Sequence, residues 1–500
     1  MTDPASFWIQ STDEPSFKPL EGDAEVDVAV LGAGITGVTA AHLLKEAGRT
    51  VALVESRRVL QGATGYTTAK VTSGHGLVYA QLAHSLGEET ACAYAAANEW
   101  AKEWIASLVD ERGIQCEFER RDNLVYTESE SEVSQLEQEV IAMRRAGLEA
   151  SLVRETSLPY PVAAAVTLSD QAQFHPRRFL LPLVDRLPGD GSHVFEHTRA
   201  LDVETGNTCA VKTAHGLVSA RHVLVTTHLP ILDRGLYFAK AHPSRAYVVA
   251  FAIDPVQAPQ GMFITASQPT RSIRTAHDGD RLLLLVGGEG HKPGEGSSEE
   301  RYATLERFGR ERFGVEDVAY RWSTHDFFTL DRVPYVGRLR RGSDRILVAT
   351  GYGSWGMTNG TAAAHVLADA VLGRQSRWSE LYDAHRLTVR ASATSFVKEN
   401  ANVARHFVGD RLRKSPHEPE ASLAPREGRL LEMDGRRVAA YRDEAGTMHR
   451  LSPACTHLGC TVAWNDAERT WDCPCHGSRF DGRGSVIEGP AVRNLRRLEP

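Results

Sequence analysis

The sequence predicts an α/β protein with an added antiparallel part and a small all-β domain at its C-terminal end. Three observations carry that reading. Near the start, a valine-rich run meets a glycine turn, a helical stretch and a second apolar run. Through the middle, strand-like and helix-like blocks alternate. Past a polar, proline-bearing stretch come short strand-like runs and a cluster of cysteines and histidines.

Taken in order, "VDVAVL" (26–31), "VTAAHLLKEAG" (38–48) and "TVALVE" (50–55) read as strand, helix and strand, a βαβ unit. From about Leu77 to Ala146 the pattern is helical. Strand-like runs follow at 220–227, 245–254, 281–288 and 344–351, and 381–412 reads as helix again. "RKSPHEPEASLAPREG" (413–428) has the composition of a linker. Beyond it, "RRVAAYRDEAGTMHRLSP" reads as short strands with a turn at Glu444–Gly446. The boundaries expected are 1–412, a linker at 413–423 and a last domain at 424–500.

A chain of 500 residues exceeds one ordinary domain. With 42% hydrophobic and 24% charged residues it has the composition of a soluble globular protein. A formal net charge of −7 argues against a nucleic-acid partner or anionic lipid, since either calls for a basic face. The first twenty residues lack a basic start followed by an apolar stretch, so no secretory signal is expected. The longest apolar runs, 248–253 and 282–286, are strand-length, so no membrane span is expected either. Of seven cysteines, Cys92, Cys116 and Cys209 are scattered and four are clustered. That distribution predicts site chemistry in a cytoplasmic protein rather than a disulfide scaffold.

Gly32, Gly34 and Gly37 form G-x-G-x-x-G at the strand–helix junction. The first glycine permits the tight turn, the second lets backbone approach a pyrophosphate, and the third lets helix pack close on sheet. The helix N-terminus offers free N–H groups to the phosphates. Glu55, 18 residues past Gly37, ends the second strand where a carboxylate can accept from a ribose. Only one such fingerprint is visible, so a tightly bound nicotinamide is not expected beside the first dinucleotide.

Two further segments, "QGATGYTTAKVTSGHG" (61–76) and "ILVATGYGSWGMTNG" (346–360), lean towards FAD. With "RVPYVGRL" (332–339), they resemble the D-amino-acid oxidase/glycine oxidase superfamily over roughly residues 7–390. The resemblance implies a Rossmann-type FAD-binding domain with an antiparallel-sheet substrate domain. It implies that Gly353, Ser354, Trp355, Gly356, Met357 and Thr358 lie along the isoalloxazine ring. Thr64, Gly65, Thr67 and Thr68, in the stretch up to Lys70, would pass the ribityl chain or ring. Arg274 stands in a strand-like stretch where the family often turns a side chain to substrate; it could pair with a carboxylate or be a solvated or structural arginine. Lys70 and His75 could line the ring pocket or be structural, while His175 and Arg177 read as a turn that packs the flavin domain.

At the other end, Cys455-x-His457 and Cys473-x-x-His476 are separated by 15 residues. Zinc is a rival for two cysteines and two histidines. Zinc fingers, however, usually pair like with like along the chain, whereas here each pair mixes one cysteine with one histidine. That is the Rieske [2Fe–2S] pattern, two thiolates on one iron and two imidazoles on the other. Its potential lies at about −150 to +300 mV, against about −400 mV for plant-type ferredoxins. Cys460 and Cys475 remain, one in each ligand loop, and from the residues alone they could be two buried free thiols. The stretch resembles respiratory cytochrome bc-type Rieske proteins, and that resemblance implies a disulfide between them. It also implies that Gly489–Ala491 covers the cluster and that Ser478 bonds a bridging sulfide. Phe480 stands where high-potential members carry a tyrosine, which implies a lower potential here.

Together the two ends predict an FAD-dependent oxidoreductase. It would oxidise a C–N bond in an amine or amino acid and pass electrons from FAD through the cluster to an external acceptor. Two rivals stay open. Electrons could run from a partner through cluster and FAD to a substrate, or the chain could be a non-catalytic redox sensor. A Rieske oxygenase would need a two-histidine, one-carboxylate iron site in a separate domain, where this chain has a flavin fold.

Overall fold

The computed structural model describes residues 4–386 and 420–499. The fingerprint strand Ala24–Leu31 is at the centre of a parallel sheet, between Leu217–Val225 and Val51–Val54. Ile346–Thr350 and His193–Phe195 extend it in parallel on either side. The buried stretches of these strands are apolar because both faces are covered, one by helices and the other by the hairpin strands Asp202–Thr205 and Cys209–Lys212 and neighbouring loops. Tyr335–Arg338 closes one edge antiparallel, and Cys209–Lys212 pairs antiparallel with the first half of Leu217–Val225. The helices Ile35–Glu46 and Gly356–Val371 both bury small side chains, which lets them pack closely beneath the sheet.

The second sheet has nine strands. Val318–Thr329, Ala241–Ala252, Arg281–His291, Arg271–Asp278 and Met262–Thr265 run antiparallel in that order. Met262–Thr265 then pairs in parallel with Glu119–Thr127, which continues to Ala164–Gln173 and the two-residue strand Lys70–Val71. The strand Glu119–Thr127 corrects the helical reading of Leu77–Ala146. Helices do occupy Tyr79–Leu86, Glu88–Arg112 and Val133–Arg145, but a strand lies between the last two. Its outer half is charged and half exposed while its inner half is continuously buried, so neither part shows clean alternation. The helical reading of 381–412 also changes. Residues 381–386 form turns, and the rest lies outside the described residues. Residues 413–419 of the expected linker lie outside them too, and Glu420–Ser422 is a short 3-10 turn.

The C-terminal part is all-β. A three-stranded meander, Gly428–Met433, Arg436–Arg442 and Met448–Leu451, contains the expected turn, where Gly446 N–H donates to Asp443 O at 3.0 Å. A four-stranded sheet, Ala463–Asn465, Thr470–Asp472, Arg479–Asp481 and Val486–Glu488, carries the cysteine-rich loops. Among the described residues no helix is long and apolar enough to cross a membrane.

Candidate functional site: a cofactor cavity beside a cysteine–histidine centre

The three glycine-bearing segments converge on one cavity of about 710 Å³. At one end are Gly32, Gly34 and Glu55. A side chain on Gly32, at φ +98°, would meet Thr226 O at 2.7 Å, and one on Gly37 would strike the Gly32 carbonyl oxygen. Gly37 therefore sits behind the wall and sets helix against strand. The Glu55 carboxylate accepts from Ala33 N–H (2.9 Å) and Arg57 N–H (2.9 Å), fixing the turn. Thr64 Oγ1 accepts from Ile35 N–H at 3.0 Å, so the second segment is anchored at the N-terminus of the fingerprint helix.

That second segment is held by its carbonyls. Trp8 Nε1 donates to Thr67 O (2.7 Å), Trp322 Nε1 to Tyr66 O (2.9 Å) and Ser6 Oγ to Gly65 O (2.5 Å). Arg274 belongs to the same set, in the structural one of its two readings. Its strand forms as read, but Nη1 donates to Thr68 O (2.9 Å) and Ala69 O (2.7 Å), and the guanidinium stacks on Trp8. It is buried behind the cavity wall and positions the segment rather than meeting substrate. His175 and Arg177 pack as expected: His175 caps the helix Pro176–Asp185, and Arg177 donates to Val59 and Leu60 carbonyls.

Gly353, Ser354, Trp355, Gly356 and Met357 also line the cavity. Gly353 (φ +58°) and Ser354 (φ +73°) take left-handed conformations, so the loop turns sharply into the helix Gly356–Val371 and aims its N-terminus at the cavity. Asp326 accepts from Ser354 N–H at 2.6 Å, and Thr36 Oγ1 bonds Tyr352 Oη at 2.7 Å, joining the two ends. Thr358 is behind the wall, donating to Thr72 O at 3.0 Å.

His75 lines the cavity and stacks on Trp355, 4.7 Å between ring centres. Its Nε2–H donates to Thr72 O (2.7 Å), so Nδ1 accepts from the Tyr94 hydroxyl (2.7 Å). Burial drives its pKa down to about 3, leaving a neutral ring that braces the loop. Lys70 also lines the cavity, its Nζ donating to Phe263 O at 2.6 Å. Burial, helped by the Arg274 charge, pulls its pKa down to about 7. Sequence reasoning missed Asp326, which reaches the cavity through the pairing of Val318–Thr329 with Ala241–Ala252, Arg332 in the turn that follows, and Glu488, which meets Arg57 and His325 where the C-terminal domain packs on the cavity.

In the C-terminal domain the Cys455 and Cys473 thiols are buried next to each other. The His457 and His476 rings stand edge to face, 4.9 Å between centres. Nδ1 of each is buried without a partner. Two adjacent thiols and two orphaned ring nitrogens are the donor set a Rieske cluster needs. Cys460 and Cys475 form a disulfide that ties the two loops. The Cys473 sulfur lies within 4.8 Å of both disulfide sulfurs. Those two are bonded to each other and offer no thiolate, so they brace the site rather than ligate. Ser478 Oγ accepts from Ala491 N–H at 3.0 Å, fastening the Gly489–Ala491 loop over the centre.

The centre faces the flavin half. His457 Nε2 bonds Asp233 Oδ1 at 2.8 Å, and Phe238 packs edge-on against the His457 and His476 rings. A side chain on Gly477 would lie 3.1 Å from His325 and 3.2 Å from Phe327. Ile487, Glu488, Gly489 and Val492 of the C-terminal domain complete the cavity wall.

These two sites, a dinucleotide cavity walled partly by a cluster-binding domain, define a flavin and iron–sulfur oxidoreductase. Residues 27–370 match the FAD dependent oxidoreductase family, and residues 416–499 match the Rieske [2Fe-2S] domain. The chain belongs to the FAD dependent oxidoreductase family and carries a C-terminal Rieske domain. It is an oxidoreductase whose cofactors are FAD and a [2Fe–2S] cluster. It is 38% identical over 99% of its length to YhfW of Bacillus subtilis, a protein named for its Rieske 2Fe-2S iron-sulfur character, covering 98% of that chain. To gamma-glutamylputrescine oxidoreductase of Escherichia coli it is 23% identical, over 75% of this chain and 90% of that one. The structure of L-amino acid deaminase from Proteus vulgaris superposes with a TM-score of 0.63 at 16% identity, over 75% of this chain and 98% of that one.

Proposed function

We propose that this chain is a cytoplasmic enzyme that oxidises a C–N bond in an amine or amino-acid-type substrate and sends the electrons through its own cluster to an external acceptor. One observation carries the electron route. Gly353 N–H donates to Phe327 O at 3.0 Å, and the Phe327 ring packs on Gly477, next to the ligand His476. A single residue thus spans from the late flavin loop to a cluster ligand loop. The relatives that act on gamma-glutamylputrescine and L-amino acids support the substrate class.

When bound, FAD would supply a two-electron acceptor able to release electrons singly, and the cluster a one-electron acceptor. The chain's residues arrange the rest. Gly32, Gly34 and the helix N-terminus would hold the pyrophosphate, and Glu55 the ribose. Trp8, Trp322 and Arg274 hold the segment Thr64–Lys70 in place by its carbonyls. Lys70, neutral to a large extent at pH 7, takes the proton from the substrate ammonium at Nζ, because only a neutral amine can be oxidised.

Anaerobic mixing of the holoprotein with a panel of amines and amino acids tests this reading. Bleaching of the flavin band followed by the paramagnetic signal of a reduced cluster is the expected order. Bleaching only by a reduced ferredoxin-like donor would reverse the electron flow, and no bleaching across the panel would leave a sensor.

A further inference from the structure

A hydride taken up by a flavin leaves as two electrons and one proton, and a one-electron cluster accepts only the electrons. A group on the cavity wall has to receive the proton. Most titratable side chains there are committed. Glu55 accepts from the fingerprint turn, Glu488 is paired with Arg479, and both ring nitrogens of His75 are bonded. Asp326 already accepts from Ser354 N–H (2.6 Å), Phe327 N–H (2.7 Å) and His228 (2.8 Å). His325 is buried, and burial pulls its pKa down to about 3, so it is a poor base. Lys70 carries the substrate's proton in the reading above.

His228 differs from all of these. It lines the cavity, and its Nε2–H donates to Asp326 Oδ1, because a carboxylate only accepts. The lone pair is therefore on Nδ1, which no hydrogen bond reaches among the described residues. The position is held at a cost. His228 has φ +68°, a left-handed conformation, and Thr350 Oγ1 donates to its carbonyl oxygen.

The surroundings tie this pair to both cofactor sites. Asp326 joins it to Ser354 of the late flavin loop. The His228 ring packs 5.3 Å from His325 and edge-on against Phe327, 4.7 Å between centres. Those are the two residues that approach Gly477, next to the ligand His476. Proton and electrons thus have exits along the same residues.

We propose that His228, oriented by Asp326, is the proton acceptor for flavin reoxidation. A flavin N–H bond breaks as two electrons pass singly to the cluster and on to the external one-electron acceptor. An N–H bond forms at His228 Nδ1, and the ring then gives its proton to water. The assignment rests on the electron direction proposed above and adds the proton step that this direction requires.

The test uses full-length protein loaded with FAD and cluster, reduced anaerobically with dithionite and then mixed with excess ferricyanide while the flavin band recovers. Wild-type recovery should be slower in D2O than in H2O. His228→Gly suits the left-handed turn, should keep its FAD and cluster, and should recover about 10²-fold more slowly. Added imidazole should restore that rate in proportion to its concentration, which it would not do for a lost brace. His228→Asn also suits the turn and takes no proton, so it should be as slow as His228→Gly. The assignment is overturned if either variant recovers at the wild-type rate, if imidazole restores nothing, or if both variants lose FAD. Failure of the parent reading looks different: no amine or amino acid then bleaches the flavin. Recovery after dithionite needs no substrate, and it would still separate wild type from His228→Gly.

Discussion

Phe480 is fully buried against the same apolar cluster that holds Cys455, Cys473 and the disulfide, and it brings no hydroxyl to them. A donor to a ligand sulfur stabilises the reduced, more negative cluster, so its absence keeps the potential down. Redox titration of Phe480→Tyr should therefore show an upward shift, and an unchanged midpoint would mean the hydroxyl never reaches the sulfur. Lys70 supplies a second residue-scale outcome. A base must be deprotonated to act, so the rate of flavin reduction should climb as pH rises through about 7, the value to which burial pulls this amine. Lys70→Met should slow reduction by about 10²- to 10⁴-fold and abolish that limb. Rapid-mixing rates between pH 5 and 9 decide it, and a limb surviving near 7 in the variant would assign the proton to another group.

At the scale of elements, closeness between backbones does what side chains cannot. A methyl on Gly37 would fall on the Gly32 carbonyl oxygen, so Gly37→Ala must lift the fingerprint helix off its strand. The expected result is a folded protein that loses FAD on gel filtration, and full flavin content would show that the helix has room to shift. The disulfide works on the ligand loops in the same way. Cys460 and Cys475 are 15 residues apart, a loop whose closure is worth about 3 kcal/mol. These features were legible in the sequence because each is local: the glycine triplet with Glu55, the two cysteine–histidine pairs and the late glycine loop all lie within short stretches. Arg274 was legible as a strand residue, yet its direction was not, since only the folded chain brings the Thr68 and Ala69 carbonyls to it. The strand Glu119–Thr127 was hidden for a related reason. Its pairing with Met262–Thr265 depends on a segment more than a hundred residues away, and half of its own residues are charged. Glu488 and Asp326 enter the cavity through contacts of the same long range.

For the whole molecule, the decisive question is whether the cluster domain is fixed on the flavin half, and a buried ion network answers it. Arg245, 1% exposed, donates to Ser323 Oγ at 2.7 Å and lies 3.1 Å from both Glu468 and Asp472 of the C-terminal domain. Arg479 closes the same network from the other side, meeting Asp472 at 3.2 Å and Glu488 at 3.1 Å, with a close contact to Glu468 as well. Such a network contributes little net stability compared with apolar packing, but removing one member strands the opposite charges. Arg245→Met should therefore weaken the docked state by about 3–5 kcal/mol, raise hydrogen exchange in Thr470–Asp472 and Val318–Thr329, and slow cluster reduction after flavin bleaching. The pH dependence has a definite sign. Despite the cost of burial, the flanking arginines depress Asp472 from 3.8 to about 2. Its contribution is thus complete above about pH 4 and is lost as pH falls towards 2. The gap in melting temperature between wild type and Arg245→Met should be full at pH 7 and shrink across that acid window. A gap that persists at pH 2 would place the effect of Arg245 in packing rather than charge. Unchanged exchange together with wild-type electron delivery at pH 7 would show that the domain is held by other contacts.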